Sequence, residues 1–383
     1  MAKAVLFVNP AYHYSFTLRD ELRRLGWKAD IYKNTMLPKQ LLFAEDVLRE
    51  ESIGEGVRWL GFETLKRLWF FIRRILGYRY FVIYGDAEVF TVNRNPRSRL
   101  VQWLTAGARS PELRILKLLG KKVLFFPNGC HQELLKKDFG NHENGNVCRN
   151  CIVPAAVCND TENQRIFDLV NRYHDFVIAN TPMDSPSLPR KRQLRFLSLD
   201  LQQFRQGIEI PDRLKLPKSS RIRILHSFVD EGRQLEEKNV KGSPFVVRAI
   251  RRLESEGCPI EYTYLNNVPS RDMRFLQVQA DVVVDQLIYG WWGSTAIEGM
   301  ALGLPVVCYL TPWVKQRFLE AFPEYDGLPI VEATPATIYD VLKRLAEDEP
   351  YRLAKGREAR AFAERHFDVR KNAPAFAELL GTL

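Results

Sequence analysis

The chain has 383 residues, 46% hydrophobic and 27% charged, which excludes a disordered chain and indicates two domains rather than one. Lys and Arg outnumber Asp and Glu by 56 to 46. The whole excess lies in residues 1–200, and residues 57–137 alone hold 16 basic and 5 acidic side chains. One stretch therefore supplies the positive charge, which indicates an acidic partner.

The chain offers no apolar window of the length that a transmembrane helix requires. Its first apolar run, residues 4–8, is shorter than the apolar region of a secretory signal peptide, and we predict that it is a β-strand. Six cysteines without a secretion signal favour reduced thiols over a disulfide framework. We therefore expect a cytoplasmic protein.

Short apolar runs alternate with helical patterns along the chain. This alternation predicts right-handed βαβ units and parallel sheets, and hence an α/β fold with two units of similar size. The predicted strands are 4–8, 28–32, 81–84, 123–126, 176–179, 222–228, 260–265, 282–285 and 305–309. The predicted helices include 15–25, 244–256, 271–278, 294–301, 312–322, 335–347 and 351–366.

The boundary between the domains is predicted in residues 196–220, which contain Gly and Pro but no clear hydrophobic period. We expect a first domain over 1–205, with a Cys-rich insert near 130–158, and a second domain over 218–366. Residues 367–383 are expected to form a segment that packs back on the first domain.

The segment 285–310 contains the most informative pattern. A predicted strand ends, a loop with two glycines follows, and a helix begins at Ser294 and carries Glu298 one turn later. Glycines allow a ligand to approach the backbone, and a helix N-terminus attracts phosphate. The alternative interpretation involves no ligand, because Thr295 and Glu298 also fit a pair of side chains that cap the start of the helix.

The block GSTAIEGMALGLPVV, residues 293–307, resembles the signature of nucleotide-sugar glycosyltransferases with the GT-B fold, and is most similar to glycosyltransferase family 4. The resemblance implies two Rossmann-like domains that face a cleft. It also implies that Glu298 hydrogen-bonds the ribose of the donor and that Gly293, Ser294 and Thr295 face its diphosphate. Many members have a glutamate eight residues before this one. This chain has Gly290 there, which leaves the donor sugar and the retaining mechanism open.

A Lys-Gly-Ser sequence that begins at Lys241 supports the resemblance, since family members often place such a sequence before the first helix of the donor domain. By that resemblance Lys241 neutralises the donor phosphates and acts in catalysis, with Arg233 or Lys238 as a second cation. His226 and Tyr289 complete the predicted donor site. The residues alone equally allow a solvated lysine and a neutral core histidine.

Four of the six cysteines lie within residues 130–158, and two of them form a CxxC pair. This spacing suits a structural Zn²⁺ that staples a polar, loop-like insert. His131 or His142 is an alternative fourth ligand, and unrelated thiols or a redox pair are alternative interpretations. The predicted ligands are Cys130, Cys148, Cys151 and Cys158.

Two loops that follow predicted strands of the first domain contain a histidine, His13 and His131. A histidine in such a loop can position or deprotonate an acceptor hydroxyl, and we select His131 as the catalytic candidate. The alternative at both positions is a histidine that only satisfies local backbone groups. The sequence has no DxD motif, and no cofactor is expected for catalysis.

Residues 57–79 combine apolar positions at helical spacing with a basic face. Trp, Phe and Arg in this arrangement fit a helix that lies on an anionic membrane. An ordinary buried helix is the alternative. A nucleic-acid partner fits the charge but not the large apolar face.

Together these features predict a glycosyltransferase that moves a sugar from a UDP- or GDP-type donor to a lipid-linked or cell-envelope glycan acceptor, with retention. We expect it at the inner face of the membrane. The alternatives are a nucleotide-sugar 2-epimerase-like enzyme on the same fold, and a zinc-stapled non-catalytic protein that binds membrane or nucleic acid.

Overall fold

Two parallel β-sheets organise the chain. A computed structural model describes residues 3–10, 13–33, 48–49, 72, 75–84, 111–127, 129–130, 135–136, 141–142, 145–149, 151, 158–179, 191–193, 198–228, 239–266 and 268–383. Most of the predicted interfacial helix at 57–79 lies outside these residues. No helix in the described ranges has the length and apolar character needed to cross a bilayer.

The first sheet has seven strands among the described residues, all paired in parallel. Their order across the sheet is β3-β2-β1-β4-β5-β8-β9. The central strands are continuous apolar runs because both of their faces are buried. The strands are β1 (Ala4–Val8), β2 (Lys28–Lys33), β3 (Leu48–Arg49), β4 (Tyr80–Tyr84), β5 (Lys122–Phe126), β8 (Phe176–Ala179) and β9 (Lys191–Gln193).

The second sheet has five described strands, again all parallel, in the order β11-β10-β12-β13-β14. A small antiparallel hairpin, β6 (Asn141–His142) with β7 (Gly145–Asn146), lies in the Cys-rich insert. The strands of the second sheet are β10 (Ile222–Phe228), β11 (Ile260–Asn266), β12 (Val282–Val284), β13 (Val306–Cys308) and β14 (Val331–Glu332).

Helices connect the strands of both sheets, and side-chain caps fix several of their starts. The Thr311 hydroxyl accepts the amide of Val314, for example, as the first residue before a helix often does. The helices are α1 (Tyr14–Arg24), α2 (Pro111–Leu118), α3 (Asp160–Tyr173), α4 (Ser243–Ser255), α5 (Ser270–Gln277), α6 (Ser294–Ala301), α7 (Pro312–Ala321), α8 (Ile338–Glu347), α9 (Glu349–His366) and α10 (Val369–Gly381).

Helix α8 begins later than its hydrophobic period predicts. The sequence predicts a start at 335, whereas the helix begins at Ile338. The Thr334 amide donates to the Thr337 hydroxyl at 2.9 Å, and these bonds hold the preceding residues in a turn. Local side-chain bonds of this kind compete with the helix for its first backbone groups.

Helix α10 lies against the first sheet, although it follows the last helix of the second. The chain crosses back where Leu199 bridges Asp368, with the Leu199 amide 2.7 Å from the Phe367 carbonyl oxygen. One face of α10 then joins a buried cluster with β1 and α1, and the Phe376 and Phe7 rings lie 6.2 Å apart.

We expect Phe376→Ala to lower the free energy of unfolding by about 3–5 kcal/mol, because it leaves a cavity between α10 and the first sheet. Urea unfolding followed by circular dichroism measures this change. Glu378→Ala alters an exposed position on the same helix and should change the free energy by less than about 0.5 kcal/mol. Equal midpoints for both variants would show that α10 contributes little to the core.

Candidate functional site

A buried carboxylate organises the carboxyl edge of the second sheet. Asp285 directly follows β12, and its side chain has no exposed surface. Its Oδ1 atom lies 2.6 Å from the Lys241 ammonium, and its Oδ2 atom accepts the Gly293 amide at 2.5 Å. One carboxylate thus joins the end of β12, the residues before α4 and the start of α6.

This arrangement favours a glycine at position 293. A Cβ atom there would lie 3.2 Å from Asp285 Oδ2, a tighter contact than most Cβ atoms make. The same point lies 3.6 Å from the Lys241 ammonium, which is therefore at the N-terminus of α6. The first amides of a helix have no carbonyl partner within it, so an ammonium and a helix N-terminus, both groups that attract anions, lie together here beside Asp285.

His226 lies beneath this loop and is fully buried in β10. Its Nδ1 atom is 2.8 Å from the Val284 carbonyl oxygen, and its Nε2 atom is 3.0 Å from the Ser243 hydroxyl. Burial lowers the pKa of His226 to about 4, against the opposing effect of the Val284 hydrogen bond, so the ring is neutral at pH 7. The imidazole therefore holds β12 and the start of α4 together.

Glu298 projects from α6 and contacts the first half of the chain. Its carboxyl oxygen Oε1 lies 3.7 Å from Nε2 of His13, which immediately precedes α1. Burial raises the pKa of Glu298 to about 8, with a Gln277 hydrogen bond acting against the shift. Burial also lowers the pKa of His13 to about 3. Two buried groups, neutral at pH 7, thus meet between the sheets.

Arg274 on α5 is the cation with the largest electrostatic effect on both Glu298 and His13. It favours the ionised form of Glu298 and disfavours the ionised form of His13. Burial lowers the pKa of Arg274 itself, with Asp272, Asp200 and Glu298 acting in the opposite direction. The Arg274 guanidinium is therefore close enough to influence both Glu298 and His13.

Ser294 and Thr295, the first residues of α6, are half-buried beside Gly293. Tyr289 is half-buried in the preceding loop, where its ring packs edge-on against Trp291 at 4.2 Å. The loop turns at Gly290, which has a φ of 93°. That left-handed conformation favours glycine, so a glutamate at this position would strain the backbone.

Three of the four cysteines of the predicted metal site, Cys130, Cys148 and Cys158, have a pKa above the usual value, in each case chiefly because of burial. Burial raises the pKa of Cys130 to about 12, assisted by the thiols of Cys158, Cys151 and Cys148, while a hydrogen bond with Tyr289 opposes it. The amide of Cys151 is 3.4 Å from the Cys148 carbonyl oxygen, so the CxxC pair forms a turn. Among the described residues, no three His, Cys, Asp or Glu side chains stand at ligand spacing.

Three predicted residues, His131, Arg233 and Lys238, lie outside the described part of the chain. The structure brings the other donor-site candidates to one edge of the second sheet. It also places His13, the histidine that sequence reasoning ranked second, against Glu298.

By sequence, no protein-family model and no curated protein matches this chain. The structure, in contrast, resembles several solved proteins over their whole length. HepE of Anabaena, solved with UDP and glucose, shares 13% identity with a TM-score of 0.57, and the match covers 100% of both chains. Sucrose-phosphate synthase of Thermosynechococcus elongatus gives 13% and 0.60 over 99% of this chain and 98% of that one. A putative UDP-N-acetylglucosamine 2-epimerase of Listeria monocytogenes gives 11% and 0.54, covering 100% and 96%.

The chain has the GT-B fold. The predicted fold class, two Rossmann-like units facing a cleft, is confirmed by these likenesses and by the two parallel sheets. In this GT-B chain, the block that suggested the resemblance forms α6, the turn after it and β13. At 11–13% identity the solved neighbours define only the fold, so any assignment of activity to this chain depends on its own site residues.

Sequence reasoning missed Asp285 and Arg274 as site residues. An acid that ends an apolar strand, as Asp285 does after three valines, is a signal that a carboxylate lies at the ligand edge of a GT-B sheet. Arg274 gives no comparable signal, because it is one of two arginines on a short helix.

The pKa of Glu298 predicts a pH dependence of stability. Folding raises it from 4.5 to about 8, so the folded protein keeps a proton that the unfolded chain releases between these values. The unfolding free energy of the wild type should therefore fall relative to that of Glu298→Gln as the pH rises from 4.5 to 8. Urea titrations across this range measure the difference. A constant difference would show that Glu298 is ionised throughout.

Proposed function

We propose that this protein is a glycosyltransferase that moves a sugar from a nucleoside-diphosphate sugar to a lipid-linked or cell-envelope glycan acceptor. The proposal depends mainly on one observation, the Lys241 ammonium at the N-terminus of α6 with Glu298 one turn further on. A nucleoside diphosphate has its phosphates next to its ribose. In this arrangement the phosphates would lie at the Lys241 ammonium and the ribose hydroxyls at the Glu298 carboxyl group.

Lys241 has the position that leaving-group stabilisation needs. Negative charge grows on the diphosphate as the bond to the sugar breaks, and a fixed cation lowers the energy of that state more than of the ground state. The pairing with Asp285 holds the ammonium in place before the donor arrives. The amides at the start of α6 would share the same charge.

Glu298 would accept hydrogen bonds from the ribose hydroxyls of the donor. Its contact with His13 places the first half of the chain beside the same subsite, so both halves would enclose the nucleoside. A buried His13 with a pKa near 3 is a poor general base, and we therefore assign it to positioning rather than to proton transfer. His131 stays our candidate for contact with the acceptor.

HepE, a GT-B protein of similar structure, was solved with UDP-glucose. This likeness supports a UDP-type donor for the present chain. We infer a retaining mechanism from the family 4 resemblance of α6, in which the leaving phosphate itself accepts the acceptor proton.

An exposed apolar surface on the first half supports a lipid-linked acceptor. We use the name leucine patch for the exposed apolar side chains of the segment before β4 and of α2, among which Leu118 is 86% exposed and Leu76 is 77% exposed. The buried neighbours Leu116 and Ile75 share one cluster, so both segments lie on the same face of the sheet. The leucine patch comprises Ile72, Leu76, Ile115, Leu118 and Leu119.

Basic side chains flank the leucine patch. Arg114 and Lys117 are exposed on α2, and the Lys121 ammonium donates to the Tyr78 carbonyl oxygen at 2.9 Å, close to Leu76. Apolar side chains within a basic rim suit the surface of an anionic bilayer. We propose that the protein binds the inner face of the membrane through this surface.

A nucleotide-sugar 2-epimerase is the second candidate, favoured by the structural likeness to the Listeria protein. The two activities can be distinguished by incubating the protein with the donor in the absence of an acceptor. An epimerase converts UDP-N-acetylglucosamine to its 2-epimer by itself, whereas a transferase leaves the sugar configuration unchanged. Nuclear magnetic resonance of the incubated donor distinguishes them.

We expect the wild type to bind UDP or GDP in a calorimetric titration, and Glu298→Ala to bind about 10- to 100-fold more weakly. The reason is the loss of two hydrogen bonds from the ribose hydroxyls to a neutral carboxyl group, each worth about 0.5–1.5 kcal/mol. Glu378→Ala, an exposed acid on α10, is the control and should bind like the wild type. A wild type that binds no nucleotide would rule out both enzyme candidates.

We expect the wild type to sediment with vesicles that contain phosphatidylglycerol and less with pure phosphatidylcholine, and high salt should weaken the binding. Leu118→Ser with Leu119→Ser should reduce the bound fraction at least tenfold, since each buried leucine contributes about 1.5–3 kcal/mol. Leu353→Ser, at a half-exposed leucine on α9, is the matched control. Equal binding by the double variant would exclude the leucine patch as the contact surface.

A further inference from the structure

The C-terminal end of α6 is bonded to an arginine of α9. The Nη1 atom of Arg360 donates to the Ala301 carbonyl oxygen, at the end of α6, and to the Phe204 carbonyl oxygen at 2.7 Å. Phe204 belongs to the connecting segment, residues 198–221, which leads from the first sheet to the second. The last carbonyl groups of a helix have no partner within it. Arg360 thus joins the end of α6 to the connecting segment.

The connecting segment makes a second bond to the same end of α6. The Gln206 side-chain amide donates to the Leu302 carbonyl oxygen at 2.7 Å, one residue beyond the helix. Within the segment, the Phe204 amide donates to the Asp200 carbonyl oxygen at 3.1 Å, so Phe204 stands in a hydrogen-bonded turn. The position of Phe204 is therefore set relative to α6.

The Phe204 ring packs against the histidine that contacts Glu298. It is buried and lies nearly parallel to the His13 imidazole, with the ring centroids 5.7 Å apart and the planes at 16° to each other. Nε2 of the same imidazole is 3.7 Å from Oε1 of Glu298, which is three residues before Ala301 in α6. The contacts form a closed circuit through α6, Arg360, Phe204, His13 and Glu298.

We propose that Arg360, assisted by Gln206, is a positioning residue for the donor site: it fixes Phe204 relative to α6, and Phe204 holds His13 against Glu298. Helix α6 has eight residues and is about 12 Å long, so Arg360 acts from the end opposite to the anion site. The predicted effect on nucleotide affinity rests on the proposed function, whereas the predicted effect on His13 does not.

A simple helix cap is the competing role for Arg360. A positive charge at the end of α6 interacts favourably with the helix dipole and would stabilise the fold wherever Phe204 lay. Such a cap predicts a lower free energy of unfolding in an Arg360 variant, but an unchanged environment of His13 in the molecules that remain folded. The His13 imidazole is therefore the group to observe.

The test is nuclear magnetic resonance of the full chain with ¹³C-labelled histidine, which gives ring signals from six residues. His13→Gln identifies the His13 signal, and Phe204→Leu shows where that signal lies without the neighbouring ring. In Arg360→Met we expect the signal to move from its wild-type position toward the position in Phe204→Leu.

Arg357→Met, at an exposed arginine of the same helix, is the matched control and should leave the His13 signal in place. Circular dichroism establishes that each variant is folded. An unmoved His13 signal in folded Arg360→Met would overturn the proposal. If Arg360→Met does not fold, Gln206→Met removes the second bond at an exposed position, and an unmoved signal there would count equally against the proposal.

A double variant tests the path from Arg360 to His13. If Arg360 acts through Phe204, the addition of Arg360→Met to Phe204→Leu should leave the His13 signal where Phe204→Leu alone places it. Additive shifts would show that the two residues act on His13 independently, which contradicts the proposed circuit.

Nucleotide binding tests the consequence for the donor site. We expect Arg360→Met to bind UDP or GDP about tenfold more weakly than the wild type in a calorimetric titration, equivalent to about 1.4 kcal/mol, and Arg357→Met to bind normally. A wild type that binds neither nucleotide would reject the proposed function and leave the His13 result intact. Equal affinities of the wild type and Arg360→Met would reject the positioning role and leave the proposed function standing.

Discussion

The Asp285 carboxylate holds together the three segments that form the proposed donor site. A buried charge is costly unless it is paired, and loss of its partner typically destabilises a protein by about 3–5 kcal/mol. Asp285 is paired with the Lys241 ammonium and with the Gly293 amide, so the positions of both are set by a single side chain. His226 has a similar role, because its ring hydrogen-bonds both the Val284 carbonyl oxygen at the end of β12 and the Ser243 hydroxyl at the start of α4.

Burial sets the protonation states of the two side chains in the Glu298–His13 contact. Both side chains are neutral at pH 7, in each case chiefly because burial disfavours the charged form. A carboxyl group with a pKa near 8 is close to its titration point in the cell. New hydrogen bonds from a ligand, or the approach of Arg274, would therefore change its charge at small cost.

The sequence predicted the α/β class, the strands of both sheets that have at least three residues in a continuous apolar run, and the helix that begins with Ser294. It did so because buried parallel strands appear as short continuous apolar runs, whereas amphipathic helices have apolar residues at helical spacing. Strands such as β14, with two residues, are too short to show a period. Asp285 and Arg274 became visible only through the fold, since their partners are 44 and 24 positions away in the chain, at Lys241 and Glu298. The start of α8 was misplaced because the Thr334 and Thr337 side chains each accept the other residue's amide and hold the residues before the helix in a turn.

The two crossings between the sheets have a mechanical consequence. The chain passes from β9 to β10 and returns from α9 to α10, and the two crossings are fastened where Leu199 meets Asp368. Gln206 and Phe204 tie the first crossing to the helices of the second sheet. Two connections that hydrogen-bond each other restrain the relative position of the two sheets more than a single connection does. The same restraint acts on the Glu298–His13 contact, whose two side chains belong to different halves of the chain.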